Sequence, residues 1–271
     1  MKFQKVSNCF LLSLFVLFVS VALTDETDEF SRVIENVVSN FEKINTIEGK
    51  ISYEIQREDQ YVFLEGDYCS APGNKYRMEF RPAGSWIKIV CNGTKVWFYM
   101  EKLKKVYISE RKGNPANTED VFSSPAVAGR DVLSKDLDIK FLKKQRKGWR
   151  EVHIYEATPK EAQDFISRIV FWIDPQMNVI KKIESYDLHE NISSMIMFDK
   201  YRNFENNIWF PLKMVSHIRE GDIVSKNEVV FENVMINKKI NEDKFIFAIP
   251  ENTKIEHIKE GEYKGEDIIK K

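Results

Sequence analysis

Ile89-Val90-Cys91-Asn92-Gly93-Thr94-Lys95-Val96-Trp97-Phe98-Tyr99 reads as two β-strands folded back on each other across an Asn-Gly turn. Asn92 and Gly93 both tolerate the positive φ that a type I′ turn demands, and the flanks are rich in β-branched and aromatic residues. The same texture extends in both directions. Towards the N-terminus, strands are expected near 50–57, 60–69, 75–81 and 85–91, divided by Arg57-Glu58-Asp59, Ala71-Pro72-Gly73-Asn74 and Pro82-Ala83-Gly84. Past the hairpin's second strand at 95–100 comes 104–109. After a break at about 111–136 the pattern resumes near 137–143, 149–157, 166–173, 178–187, 193–202, 208–219, 223–235 and 244–249. Short strands at near-even spacing, with turn residues between them, predict an antiparallel meander. Lys143-Lys144-Gln145-Arg146-Lys147-Gly148 reads as a solvated hairpin tip in preference to a docking site for anionic lipid or an acidic partner.

Helical periodicity occurs twice. Phe30, Val33, Ile34, Val37, Val38, Phe41 and Ile44 recur at spacings of three and four, with Arg32, Glu35, Asn36, Asn40 and Lys43 on the other side. Within 111–136, Ser123-Ser124-Pro125 offers a helix start before Val127, Val132 and Leu133. Two helical patches among these strands predict a mainly β (α+β) domain, one highly curved sheet with helices over an open end. Several strands are apolar on both faces, such as Ile87-Lys88-Ile89-Val90 and Ile169-Val170-Phe171-Trp172-Ile173. A sheet with one wet face alternates instead, so the inner face meets a packed core, a second layer or a ligand cavity.

The first residues carry an export signature. Lys2 and Lys5 precede an apolar run from Phe10 to Leu23, and Ser20-Val21-Ala22 suits cleavage after Ala22. That run is shorter than the ~20 residues a membrane-spanning helix needs. The expected organisation is a signal peptide at 1–22, a single domain at 23–255 and a charged, frayed tail at 256–271. Cys9 lies ahead of the apolar run and leaves with the signal. Cys69 and Cys91 remain, as one disulfide or as two separate buried thiols.

With 41 Lys+Arg against 42 Asp+Glu, the formal net charge is −1, which argues against a nucleic-acid partner. No GxSxG, HExxH, Walker loop or GxGxxG occurs, and His153, His189, His217 and His257 lack metal-ligand spacing. No catalytic residues, metal or cofactor are therefore expected.

Taken in order, several segments resemble the LolA/outer-membrane lipoprotein-sorting family. Gly66-Asp67-Tyr68 followed by Pro72-Gly73-Asn74-Lys75-Tyr76-Arg77-Met78 resembles its strand–turn–strand, and residues 89–99 resemble its hairpin with Trp and Tyr. Thr158-Pro159-Lys160 resembles its "L-T-P-K" step, and Phe245-Ile246-Phe247-Ala248-Ile249-Pro250 its C-terminal "F-x-F-x-x-P". Ala71 stands where carriers of the family often place an Arg that contacts the lid. Asn203 to Pro211 resembles a longer branch of the family.

The resemblance implies an incomplete antiparallel β-barrel, a half-barrel, with an α-helical lid. It also implies a periplasmic, monomeric, non-enzymatic carrier that shields the acyl chains of a lipoprotein or lipid. Such a carrier is loaded by an inner-membrane lipoprotein-releasing complex and discharged to an outer-membrane acceptor. Acyl chains need only an apolar groove, since each buried CH₂ contributes ~0.8 kcal/mol. The groove candidates are Val33, Val37 and Phe41 on the first helix, with Trp97, Tyr99, Phe171 and Ile173 on strands. The alternative is a periplasmic sensor or interaction module on the same fold, binding an envelope lipid or protein signal.

Overall fold

The computed structural model describes residues 29–110, 137–147, 150–160 and 166–258. The expected signal peptide and the helical pattern at 123–133 lie outside them. One helix, α1 (29–42), precedes the strands. A first meander runs β1 (Ile47–Arg57), β2 (Gln60–Ala71), β3 (Lys75–Phe80), β4 (Ile87–Asn92), β5 (Lys95–Met100) and β6 (Lys105–Glu110). A second runs β7 (Leu137–Lys147), β8 (Arg150–Pro159), β9 (Arg168–Asp174), β10 (Val179–Tyr186), β11 (Ile192–Phe204), β12 (Ile208–Glu220) and β13 (Ile223–Ile236). The last strand is β14 (Lys254–Ile258).

All fourteen strands form one sheet, ordered β14-β6-β5-β4-β3-β2-β1-β13-β12-β11-β10-β9-β8-β7. Each meander is antiparallel throughout, β1 joins them by pairing antiparallel with β13, and β14 adds to β6 in parallel. The sheet is curled and open, with β14 and β7 at its margins, which makes it the expected half-barrel.

Helix α1 lies on the inner face. Its sequence is rich in Val, Ile, Asn and Ser, poor helix formers, so its stability comes from burying one stripe. Phe30, Val33, Ile34, Val37, Val38 and Phe41 are buried against Ile51, Met78, Phe80, Tyr155, Phe171, Ile173 and Phe231 from both meanders. Each such side chain contributes about 1.5–3 kcal/mol when fully buried. Phe30 stacks obliquely on Tyr155, 5.0 Å between centroids, and on Phe171 at 6.0 Å. The lattice is tight where β2 crosses β3: a Cβ on Gly66 would lie 1.8 Å from the Glu79 carbonyl oxygen.

Several expectations change. The hairpin at 89–99 is present, but only Gly93 (φ 99°) has a positive φ, so the turn is not type I′. The Asn92 carboxamide instead accepts from Thr94 N and Lys95 N, and Gly93 faces the Gly73 carbonyl, leaving no space for a Cβ. The basic segment at 143–147 is the end of strand β7, not a turn. Residues 244–249 alternate like a strand yet form none. A 3₁₀ turn at Glu242–Phe245 leads into extended backbone that crosses the outer face without a ladder partner. Of the tail expected at 256–271, Glu256 to Ile258 belong to β14, which pairs Lys254 with Lys105 through Ile258 with Ser109, and 259–271 lie outside the described residues.

That crossing segment straps the outer face. Phe245 is buried against β3 and β4, and Phe247 covers Trp97 and Tyr99 at centroid distances of 6.4 and 5.7 Å. Arg77 donates to the Lys244 carbonyl at 2.8 Å and to Glu79 at 2.8 Å, and Lys88 pairs with Glu79 at 2.9 Å. Burial pushes the Glu79 carboxyl up, but the hydrogen bonds from Arg77 and Lys88 outweigh it and hold the group below its ordinary value of 4.5. A carboxyl depressed by folding contributes stability above the unfolded pKa and loses it as pH falls through the folded one. Urea midpoints measured from pH 7 down to pH 3 should therefore converge between wild type and Glu79→Gln as the pH drops below 4.5. A constant gap across that range would contradict the assignment.

Candidate functional site

The inner face under and beside α1 is the one apolar surface that both meanders and the helix build together. In antiparallel pairs, residues opposite each other share a face. The register therefore aligns Phe141, Tyr155, Phe171, Ile183 and Ile196 on one inner row. The row continues through Ser216, Asn227, Ile55 and Val62. Its β7–β10 end is mostly covered by the N-terminal turn of α1. Its other end is only partly covered, and Ile196, Ile55 and Val62 are part-exposed apolar side chains packed against the core. Ile218, one row further out, is 39% exposed. The Asn227 carboxamide lies 3.4 Å from the Ser216 hydroxyl, the uncharged polar element of that stretch.

Two asparagines hold the helix in place. β12 pairs with β13 only from Lys213 onward, which leaves the backbone of Trp209 without a strand partner on that side. Asn40 supplies one: its Nδ2 donates to Trp209 O at 2.9 Å and its Oδ1 accepts from Trp209 N at 3.1 Å. Asn40, expected on the polar side of the helix, is thus 4% exposed. Its place three residues after Val37 and seven after Val33, in phase with the buried stripe, is the sequence signal that could have found it. Asn237 secures the exit. Its Oδ1 accepts from Asn45 N at 2.7 Å and its Nδ2 donates to Lys43 O at 2.8 Å. Ala71 merely ends β2, and its methyl group offers no donor, so these amides provide the polar anchorage. At the other helix end, His153 lies 2.8 Å from Glu151, 3.3 Å from the Tyr155 hydroxyl and 3.8 Å from Glu29.

The candidate residues divide. Val33, Val37, Phe41, Phe171 and Ile173 come together in one cluster, each at most 7% exposed, so in this state they pack on one another. Trp97 and Tyr99 do not join them. They lie on the outer face with Val106 and Ile108, beneath Phe247. The inner-face residues of the same hairpin are Phe98 and Met100, grouped with Tyr107, Ile87 and Ile89. Strand parity was readable, but which parity faces inward was not, because both faces are apolar. The part-exposed Ile55, Val62 and Ile196 were missed, since nothing in sequence marks which inner positions the helix leaves uncovered.

Cys69 and Cys91 are free, buried thiols. Cys69 stands opposite Arg77, and Arg77 opposite Val90, so Cys69 faces outward while Cys91, one residue on, faces inward. They sit on opposite faces with β3 between them, a geometry no disulfide can span. Burial pushes the Cys69 thiol up. Burial also pushes the Tyr53 hydroxyl, within the inner cluster, up to about 12. Among the described residues no group of three or more His, Cys, Asp and Glu could hold a metal ion, and no helix is long and apolar enough to cross a membrane.

The same fold occurs in a lipoprotein-sorting protein domain and in a DUF1329 family protein, both of low sequence identity. An outer membrane lipoprotein-sorting protein domain from Vibrio parahaemolyticus superposes with a TM-score of 0.55 at 14% identity, over 79% of this chain and 95% of that one. A DUF1329 family protein from Desulfovibrio piger gives 0.52 at 16% identity, over 79% and 96%. A LolA superfamily protein from Nitrosomonas europaea gives 0.47 at 10% identity, over 79% and 97%. No curated protein matches the sequence. A family model described as "uncharacterized protein" matches residues 86–247, more than half of the chain, and the chain belongs to that family.

Replacing Asn40 by Leu keeps the bulk of the side chain but strands two part-buried backbone groups of Trp209. Urea unfolding should show a loss of about 2–4 kcal/mol. A midpoint equal to wild type would mean that the amide does not anchor the helix.

Proposed function

We propose that this protein is a non-enzymatic periplasmic carrier that holds the acyl chains of a lipoprotein or related lipid against the inner face of its half-barrel. The observation that carries this reading is the construction of that face. One largely apolar surface, built by both meanders and interrupted by the uncharged Ser216–Asn227 pair, is covered over part of its length by a helix and left part-exposed at Ile55, Val62, Ile196 and Ile218. An acyl chain needs apolar area without directional partners, and a curled, open sheet supplies it. The fold shared with lipoprotein-sorting domains supports the same conclusion.

The chain enters beside α1 along the Ile196–Ile55–Val62 row. Deeper occupancy requires the Val33, Val37 and Phe41 stripe to lift from Phe171 and Ile173, so the helix acts as a lid held by Asn40 and Asn237. Trp97 and Tyr99, on the outer face, take no part. Loading from an inner-membrane releasing complex and delivery to an outer-membrane acceptor complete the proposed role, with the carrier acting as a monomer.

Titration with a fluorescent fatty acyl probe tests this directly. Wild type should take up the probe. Ile196→Glu, at a part-exposed position where a carboxylate reaches water, should keep its circular dichroism and weaken binding about tenfold or more, because a charge then borders the apolar path. Undiminished uptake by folded Ile196→Glu and Ile55→Glu variants would remove this row from the site.

A further inference from the structure

Strand β7 forms one margin of the sheet, pairing with β8 on one side and with no described strand on the other. From Lys140 to Lys147 it carries five cationic residues and no carboxylate, in a chain of net charge −1. Lys140, Lys143, Lys144 and Arg146 are exposed. Lys144 lies 3.5 Å from Glu151, itself 35% exposed. No ion pair engages Lys140, Lys143 or Arg146 among the described residues. The register breaks between Phe141 and Lys143, and Leu142 at that bulge is 39% exposed. Opposite residues in the β7–β8 register put Lys140 and Lys143 on the outer face, and Lys144 and Arg146 on the inner one. Positive charge therefore fringes both sides of the margin, with an apolar side chain in its middle.

Two kinds of partner suit an exposed basic edge. A peptide adding as a further strand needs an unbroken ladder, and lysines with a bulge are what proteins use to prevent such addition. A flat anionic surface needs no register. It needs several cations within a Debye length and an apolar group to insert.

We propose that the β7 margin docks the protein on bilayers containing anionic phospholipid. The consequence for the fold is specific. Ile139 and Phe141 of the same strand pack against the inner-face cluster, so docking along β7 brings the margin of that face to the lipid surface. The inference goes beyond acyl binding and stands or falls separately from it, because it rests on charge and edge geometry alone.

Purified full-length protein is sedimented with phosphatidylcholine vesicles, with and without a third of phosphatidylglycerol, at low and at physiological salt. Binding should require phosphatidylglycerol and weaken as salt rises. The triple variant Lys140→Glu, Lys143→Glu, Arg146→Glu should bind about tenfold less tightly or worse, with its uptake of the fluorescent acyl probe unchanged. A milder pair, Lys143→Gln with Arg146→Gln, serves if the triple variant misfolds, and should bind more weakly than wild type. Equal binding to neutral vesicles, no binding to either, or wild-type binding by the folded variants would overturn the proposal. Binding to soluble polyglutamate as tight as to vesicles would overturn it in favour of an acidic protein partner. Variants that self-associate while still binding vesicles would overturn it too, and would assign these cations to edge protection.

Discussion

Strand β1 pairs with β2 on one side and with β13 on the other, from Ile47 opposite Ile236 to Arg57 opposite Ser225. Without that second ladder the two meanders would be separate sheets, each with an apolar face open to water. The pairing joins residues nearly the whole domain apart in sequence, so its loop-closure cost falls late, after local hairpins have formed. Local geometry serves it. The register slips between Glu48 and Lys50, and a Cβ on Gly49 would lie 2.8 Å from the Glu232 carbonyl oxygen, so glycine alone fits the approach. Helix α1 then fills the bay that the joined meanders enclose, touching Ile51 and Phe80 from the first, and Phe171 and Ile173 from the second. Asn237, the residue after β13, closes the corner by bonding to the backbone of Lys43 and Asn45.

Much of this was legible from residue order, because period-two patterns and Gly, Pro and Asn turns are local signals. Strands at 50–57, 60–69, 95–100 and 208–219 lie where alternation and turns put them, and the Phe30–Phe41 stripe is buried as its spacing implies. The failures share one cause, which is that local pattern carries no information about which neighbour supplies the partner. Phe245-Ile246-Phe247 alternates correctly and does turn its phenylalanines to the sheet, but it lies across the strands and finds no ladder. Trp97 and Tyr99 are apolar and strand-borne, yet a strap formed some 150 residues later in the chain covers them, on the face away from the helix. Asn40 looks like a solvated residue until the splaying of β12 from β13 leaves Trp209 needing a donor and an acceptor. The Cys69–Cys91 alternative was undecidable by count and is settled by parity.

The architecture separates two tasks. Over β3 to β5 the outer face is covered by its own polypeptide, through Phe245, Phe247 and the Arg77–Glu79–Lys88 network. The inner face is covered over part of its length by a helix of low intrinsic propensity, held by apolar contact and a few amide hydrogen bonds. In the proposed role, such a cover yields when an equally apolar occupant offers the sheet the same contacts. Non-directional burial dominates a site of this kind, so no constellation of catalytic groups is needed for it to work.

The central claim is that the inner face receives acyl chains, and the most direct measurement is native mass spectrometry of the protein exported in a diderm bacterium and purified without detergent. The account predicts a co-purifying mass that dissociates as a lipid or acylated lipoprotein. A protein that emerges empty, and takes up no added acyl lipid, would contradict it and leave the inner face as a filled core.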